Sequence, residues 1–285
     1  MHAEHARTGG PLAGILPARY DGFGTDKRRS AKRLEISVPR QDSIDHERRA
    51  LIAAGGVLLL SAALWPAGAR AQAAAKMRIG VIGSGHIGGT IGGLWVKDGH
   101  KVFFSSRHPE ELNDLVAGLG ALAQAGTVEQ AIAFGDVIFI AVPYKALPQL
   151  GKEYDDALKG KIVLDACNAT VRRDGADLTD EVNKNGIGVT SQKYLPGTKL
   201  VRAFNSMNYM IFAREANRPD PKLAIPIAGD DAQAVQIAAG LVRDAGFEPV
   251  VVGGLKDASR FQMGALGFGQ QVTAAELKQK LSLKP

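Results

Sequence analysis

The chain has 285 residues, 45% of them hydrophobic, with 35 Lys and Arg against 29 Asp and Glu. Its formal charge of +6 comes mostly from the first 71 residues, where 11 basic side chains meet 7 acidic ones; the remainder, with 24 and 22, is near neutral, which argues against a nucleic-acid partner. The single cysteine, Cys167, excludes an intrachain disulfide and a cysteine metal site, and no metal ligand set is expected.

Residues 1–47 are rich in Arg, Asp, Gly and Pro and show no apolar period, so disorder is expected there. No methionine lies between Met1 and Met77, so a misassigned start is the other expectation. Residues 48–71 read as a signal of the twin-arginine kind. Arg48-Arg49 precede the uncharged run Ala50–Trp65, and Ala69-Arg70-Ala71 fits a small-residue cleavage site. The run is shorter than the roughly 20 residues of a membrane span. Export to the periplasm with a cleaved signal is expected, with no stable span in the mature protein; a retained anchor is the alternative.

From Met77 onward strand-like and helix-like runs alternate. Strands are expected at Arg78–Ile82, Lys101–Ser105, Asp136–Val142, Lys161–Ala166, Lys199–Phe204, Leu223–Ala228 and Pro249–Val252. Most are apolar throughout, as suits strands covered on both faces. Helices are expected at Ile87–Lys97, Glu110–Leu119, Val128–Phe134, Ala146–Leu158, Asp231–Ala245 and Ala274–Leu281. The alternation predicts a Rossmann-type, doubly wound, mostly parallel α/β sheet over residues 77–258, followed by a helical tail over 259–285.

The first strand runs into Gly83-Ser84-Gly85-His86-Ile87-Gly88. GxGxxG between a strand and a helix is a dinucleotide fingerprint. Gly83 permits the turn, Gly85 lets backbone approach a pyrophosphate, and Gly88 lets the helix pack against the strand. The Ser84 hydroxyl can bond a phosphate, and His86 stands in the first helical turn within reach of the cofactor. At the end of the second strand, where an NAD site carries a carboxylate, this chain has Ser105-Ser106-Arg107-His108. Hydroxyls and an arginine suit a 2′-phosphate, so NADP(H) is the expected dinucleotide.

Ligands of such sheets lie beyond the strands' carboxyl ends. There the sequence places Ala141-Val142-Pro143-Tyr144, Asp165-Ala166-Cys167-Asn168-Ala169 and Phe204-Asn205-Ser206-Met207. Asn168 and Asn205 can offer amide bonds to ribose, nicotinamide or substrate. His86, Tyr144 and Asn205 are the candidates for a catalytic part, with Tyr194 a further possible acid. Cys167 reads as a small buried residue rather than a nucleophile.

The segments MRIGVIGSGHIGG, FFSSRHPEEL, IAVPY, KIVLDACNA, KLVRAFNSM, IPIAGDD and GFEPVVVGGL span Met77 to about Ala258. Together they resemble the NADPH-dependent reductases of the deazaflavin coenzyme F-420 and their bacterial relatives. The oxidoreductase domain of the six-transmembrane metalloreductases is also similar. The resemblance implies that Gly83 to Gly88, Ser106 and Arg107 bind NADPH and that Ala141 to Tyr144 line the nicotinamide side. It also implies direct hydride transfer by positioning, without an obligatory acid or nucleophile. The acceptor it implies is a small redox molecule: deazaflavin, flavin or ferric chelate. The chain departs from the family at Gly264 to Gln271, where an apolar end is usual, and lacks a further basic residue after His108-Pro109. A homodimer is expected, since one such domain makes a shallow acceptor site. A non-enzymatic NADP-binding or sensing protein and a hydroxyacid or imine reductase are the competing functions.

Overall fold

Runs of Val, Ile and Phe with no polar face need cover on both sides of a sheet. In the computed structural model, which describes residues 76–284, they have it. The segments expected as disorder or misassigned start (1–47) and as signal (48–71) lie outside the described residues. β1 (Arg78–Ile82) leads through α1 (His86–Lys97) to β2 (Lys101–Ser105). A 3-10 turn (Pro109–Leu112) and α2 (Asn113–Leu119) precede β3 (Ala123–Gly126), α3 (Val128–Phe134) and β4 (Val137–Ile140). α4 (Leu147–Glu153) and α5 (Asp155–Leu158) lead to β5 (Ile162–Asp165). Then come α6 (Val171–Asp174), α7 (Ala176–Asn185), α8 (Ile187–Tyr194) and β6 (Lys199–Arg202). α9 (Tyr209–Glu215), β7 (Ala224–Gly229), α10 (Ala232–Asp244) and β8 (Glu248–Gly253) follow, and a 3-10 segment (Leu255–Phe261) and α11 (Ala274–Lys280) complete the order.

The eight strands form one sheet in the order β3-β2-β1-β4-β5-β6-β7-β8. β1 to β6 are parallel. β7 pairs antiparallel with β6, and β8 parallel with β7, so the last two strands run the other way. The chain winds outward to β3, then returns to place β4 on the other side of β1. That reversal opens a crevice above the carboxyl ends of β1 and β4.

Helices α1 and α10 cover one face, with Trp95, Phe104, Phe139 and Phe204 in the layer beneath them. Trp95 is fully buried and donates its indole N–H to the Leu241 carbonyl at 2.7 Å. The other layer contains Ile138, Tyr144, Leu147, Phe261 and, from the expected tail, Leu277 and Leu281. At the amino-terminal edge of the sheet, buried His100 accepts the Met77 N–H through Nδ1 and donates through Nε2 to Asp244. With both nitrogens engaged, this imidazole has no lone pair for a metal ion.

Some elements differ from expectation. β3, with sequence AQAG, carries no β-branched residue and pairs only with β2 at the sheet edge. The helix expected over Ala146–Leu158 breaks at Tyr154 into α4 and α5. The one expected over Glu110–Leu119 begins as 3-10 after Pro109. Helices α6 to α9 lie where no helix was expected; α7 buries only Val182.

Candidate active site

The glycine turn is closed on its protein side and open on its solvent side. Gly83 has φ +90°, and a Cβ there would meet the Ala141 carbonyl oxygen at 2.6 Å. Its N–H bonds to the Ser105 carbonyl at 3.2 Å, joining the turn to β2. A Cβ on Gly88 would lie 2.0 Å from the Gly83 carbonyl oxygen, so α1 approaches β1 at backbone distance. A Cβ on Gly85 would meet no protein atom within 4 Å. Gly85 is also the N-cap of α1, with no side-chain cap bond and no acidic residue in the first turn. The first N–H groups therefore face open space with a partial positive charge, the arrangement that takes an anion. Ser84 Oγ donates to the Ser105 carbonyl at 3.1 Å, which fixes the hydroxyl toward β2.

Ile82 pairs with Ser105, so the residues after β2 stand beside the glycine turn. Ser106 is half-buried and its Oγ accepts the His108 N–H at 3.2 Å. Arg107 is exposed. The first carboxylates after β2, Glu110 and Glu111, belong to the 3-10 turn.

Next to the turn lies a cleft of about 630 Å³. His86 and Ile87 border it from α1, Ala141, Val142 and Pro143 from the end of β4, and Asn168 from the end of β5. The His86 ring stacks on Tyr209 of α9, with centroids 4.2 Å apart and planes 10° from parallel. Asn168 Nδ2 donates to the Asn205 carbonyl at 2.6 Å, bridging the ends of β5 and β6. Phe204, the residue before that carbonyl's own, has φ +59°, rare for an aromatic side chain. It is fully buried against the rings of Trp95, Phe139, Phe212 and Phe247, which hold the turn that strain of about 1–3 kcal/mol would otherwise oppose.

Two catalytic candidates face away from the cleft. Tyr144 is fully buried, and its hydroxyl lies 3.2 Å from Ser191 Oγ. Pro143 turns the chain so that the ring enters the second core layer, and burial raises its phenol well above the ordinary value, unsuited to proton donation at neutral pH. Asn205 is 1% exposed; its Nδ2 points toward the Phe261 carbonyl at 3.4 Å, so the residue braces the 3-10 segment. Tyr194, too, is away from the cleft: its hydroxyl donates to Glu181, and burial with that carboxylate pushes it up to about 12. His86 is the candidate that borders the cleft.

Beneath the floor lies a device no motif announced. Asp165 and Arg202, at the ends of β5 and β6, form an ion pair with both side chains fully buried. Asp165 Oδ1 accepts the Cys167 N–H at 2.8 Å, and Arg202 Nη2 donates to the Cys167 carbonyl at 2.5 Å. The pair thus clamps both sides of the residue preceding Asn168. Burial pushes the Cys167 thiol up, with the Asp165 charge adding to the effect. Ellman's reagent at pH 8 should therefore react with Cys167 roughly a hundredfold more slowly than with a free thiol, and at full rate in guanidinium. Fast labelling of the native protein would contradict this burial.

Sequence reasoning missed wall residues on α6, α9 and the carboxyl-terminal segment: Arg173, Tyr209, Met263 and Phe268; Met207, from the segment singled out beyond β6, lines the cleft too. Conversely, the IPIAGDD segment is not part of the site. β7 runs antiparallel, so Asp230 and Asp231 stand at the opposite sheet edge. There Asp231 caps α10 through the Ala234 N–H and Asp230 accepts the Leu255 N–H, each at 2.8 Å.

Residues 78–169 match the model of the family "NADP oxidoreductase coenzyme F420-dependent". Over 185 residues the chain is 30% identical to metalloreductase STEAP3 of Rattus norvegicus, covering 64% of this chain and 35% of that protein. The chain thus spans about a third of this curated relative's length. Among solved structures, hypothetical protein SMa0349 from Sinorhizobium meliloti superposes with a TM-score of 0.61 at 24% identity, over 70% of this chain and 95% of that one. A proposed F420-dependent NADP-reductase from Arthrobacter sp. FB24 gives 0.55 at 22% identity, over 64% and 87%. These two superpositions place the fold among Rossmann-type domains.

Proposed function

We infer that this chain, whose residues 78–169 match the model of the coenzyme F420-dependent NADP oxidoreductase family, moves a hydride between NADP(H) and a small redox acceptor. The observation that carries this is the open space above Gly85, faced by uncapped N–H groups, beside the end of β2 that leads into Ser106 and Arg107. The residues fit the dinucleotide. The first turn of α1 would hold the pyrophosphate, and Ser106 and Arg107 the 2′-phosphate. Ala141, Val142 and Pro143 form an apolar wall that excludes water from the nicotinamide side, and Asn168 is held in place by its bond to β6. NADPH, when bound, supplies the hydride. The protein's task is then positioning, for which the rigid strand ends are suited.

For the acceptor we propose deazaflavin F-420, flavin or ferric chelate; the family description supports the first and the rat metalloreductase the last. Following NADPH and NADH oxidation with each of the three decides among them. No turnover with any, alongside tight NADPH binding, would favour a sensor. Arg107→Ala should weaken NADPH binding by about 10–100-fold, the value of a lost charge-assisted phosphate bond of about 1.5–3 kcal/mol, and leave NADH within twofold. An equal effect on both nucleotides would remove Arg107 from the 2′-phosphate site.

We further propose export through the Arg48-Arg49 signal, tested by finding Gln72 as the mature amino terminus, and a homodimer, tested by light scattering. No helix among the described residues is long and apolar enough to cross a membrane.

A further inference from the structure

The cleft wall is mostly apolar. Val142, Pro143, Met207, Met263 and Phe268 contribute to it, and among the described residues that line it only Arg173 carries a permanent charge. Arg173 is not a loose surface cation. Its Nε lies 3.1 Å from Asp174 Oδ2, and its Nη2 is 3.0 Å from the same oxygen. Nη2 also donates to the Asn168 carbonyl.

Asp174 itself is held by the Thr170 N–H at 2.8 Å and the Lys145 N–H at 3.1 Å, so the turn after β4 and the loop after β5 meet on one carboxylate. Its side chain is fully buried while the arginine side chain stays 46% exposed. Burial opposes the charge on Asp174. The Arg173 guanidinium and the two N–H groups more than offset this, so the carboxyl stays below its ordinary value and ionised.

Burying a carboxylate is costly, and a half-exposed arginine does not need one for solubility. What the arrangement achieves is a fixed guanidinium. Two of its three nitrogens are committed, and Nη1 has no partner among the described residues. A fork immobilised in advance loses little side-chain entropy when it meets a ligand.

Arg173 belongs to α6, which follows β5, whereas the dinucleotide's phosphates are assigned to the start of α1 after β1. β4 lies between those two strands. The free edge of the guanidinium is therefore on the acceptor side of the cleft.

We propose that Arg173 is the anion anchor of the acceptor site. The acceptor presents an apolar or aromatic body to the cleft wall and a carboxylate or phosphate to Nη1. This rests on the assignment of the cleft to an NADP-dependent hydride transfer. It adds the acceptor's charge and the residue that selects for it.

Two matched pairs of probes test it: FMN against riboflavin, which differ by one phosphate, and benzoate against benzamide, which differ by one carboxylate. Each is titrated by calorimetry into protein saturated with NADP⁺, for the wild type, Arg173→Met and Arg173→Lys. The anionic member of at least one pair should bind at least tenfold more tightly than its neutral partner. Preference for FMN alone identifies a phosphate ligand, and for benzoate alone a carboxylate. Arg173→Met should abolish the preference while the variant still binds NADP⁺, and Arg173→Lys should keep part of it. Equal binding within both pairs, no binding of any probe, or a preference that survives Arg173→Met would overturn the proposal. Failure of the wild type to bind NADP⁺ is a separate result: it would remove the dinucleotide assignment, and this inference with it.

Discussion

Gly85→Val should raise the dissociation constant of NADPH at least about a hundredfold, equivalent to about 2.7 kcal/mol, while the protein stays folded. A Cβ at this position meets no protein atom within 4 Å, so the new side chain starts out into open space. It occupies the volume in front of the first α1 N–H groups. The fold should lose only what a less favourable N-cap residue costs, about 1 kcal/mol, or roughly 2–4 °C in Tm. Gly88→Ala is the contrasting control. Its Cβ would lie 2.0 Å from the Gly83 carbonyl oxygen, so α1 would have to move away from β1. Overpacking of this kind costs roughly 1–3 kcal/mol, so stability should fall along with binding. Thermal denaturation and NADPH titration of both variants separate the two effects. If Gly85→Val bound NADPH like the wild type, the phosphates would not pass over this turn.

Arg202→Met should be the most destabilising of these substitutions. It leaves Asp165 unpaired where its side chain is fully buried. Removing one partner of a buried pair costs about 3–5 kcal/mol, which for a domain of this size lowers Tm by roughly 6–20 °C. The double variant Asp165→Leu, Arg202→Met should recover much of that loss, since two apolar residues of similar volume leave no stranded charge. It should not recover NADPH binding. The same two side chains hold the N–H and the carbonyl of Cys167, and without them the residue that presents Asn168 is no longer fixed. Urea unfolding of the two single variants and the double measures the coupling. A cost below about 1 kcal/mol for Arg202→Met would mean the pair contributes little to the native state.

Much of the scaffold was legible because burial on both faces leaves a plain trace. β1, β2 and α3 begin and end where the apolar runs and their flanking Gly, Thr and Ser residues place them. The glycine turn was legible for a steric reason, because no other residue fits where Gly83 and Gly88 stand. Strand direction was not. The run at β7 reads the same whichever way it enters the sheet, and only its antiparallel pairing with β6 shows that Asp230 and Asp231 stand away from the site. Side-chain facing after a strand was equally hidden. Tyr144 follows three cleft residues in sequence, yet the turn at Pro143 sends its ring into the core. Arg173 left no trace in the sequence, because what distinguishes it is a buried aspartate that also accepts the Lys145 and Thr170 N–H groups. Arg202 did leave a trace: a charged residue ending an apolar strand must find a partner, and Asp165 ends the neighbouring strand in register with it.

The two halves of the cleft are separated in the order of synthesis. The glycine turn, the Ser106-Arg107 corner and the β4 wall are all complete once Pro143 has been added. The opposite wall needs Met263, Phe268 and Gly269. At roughly 5–20 residues per second, a growing chain carries its nucleotide-facing half for on the order of ten seconds before the acceptor-facing half exists. The acceptor-facing wall is therefore the last part of the cleft to be synthesised.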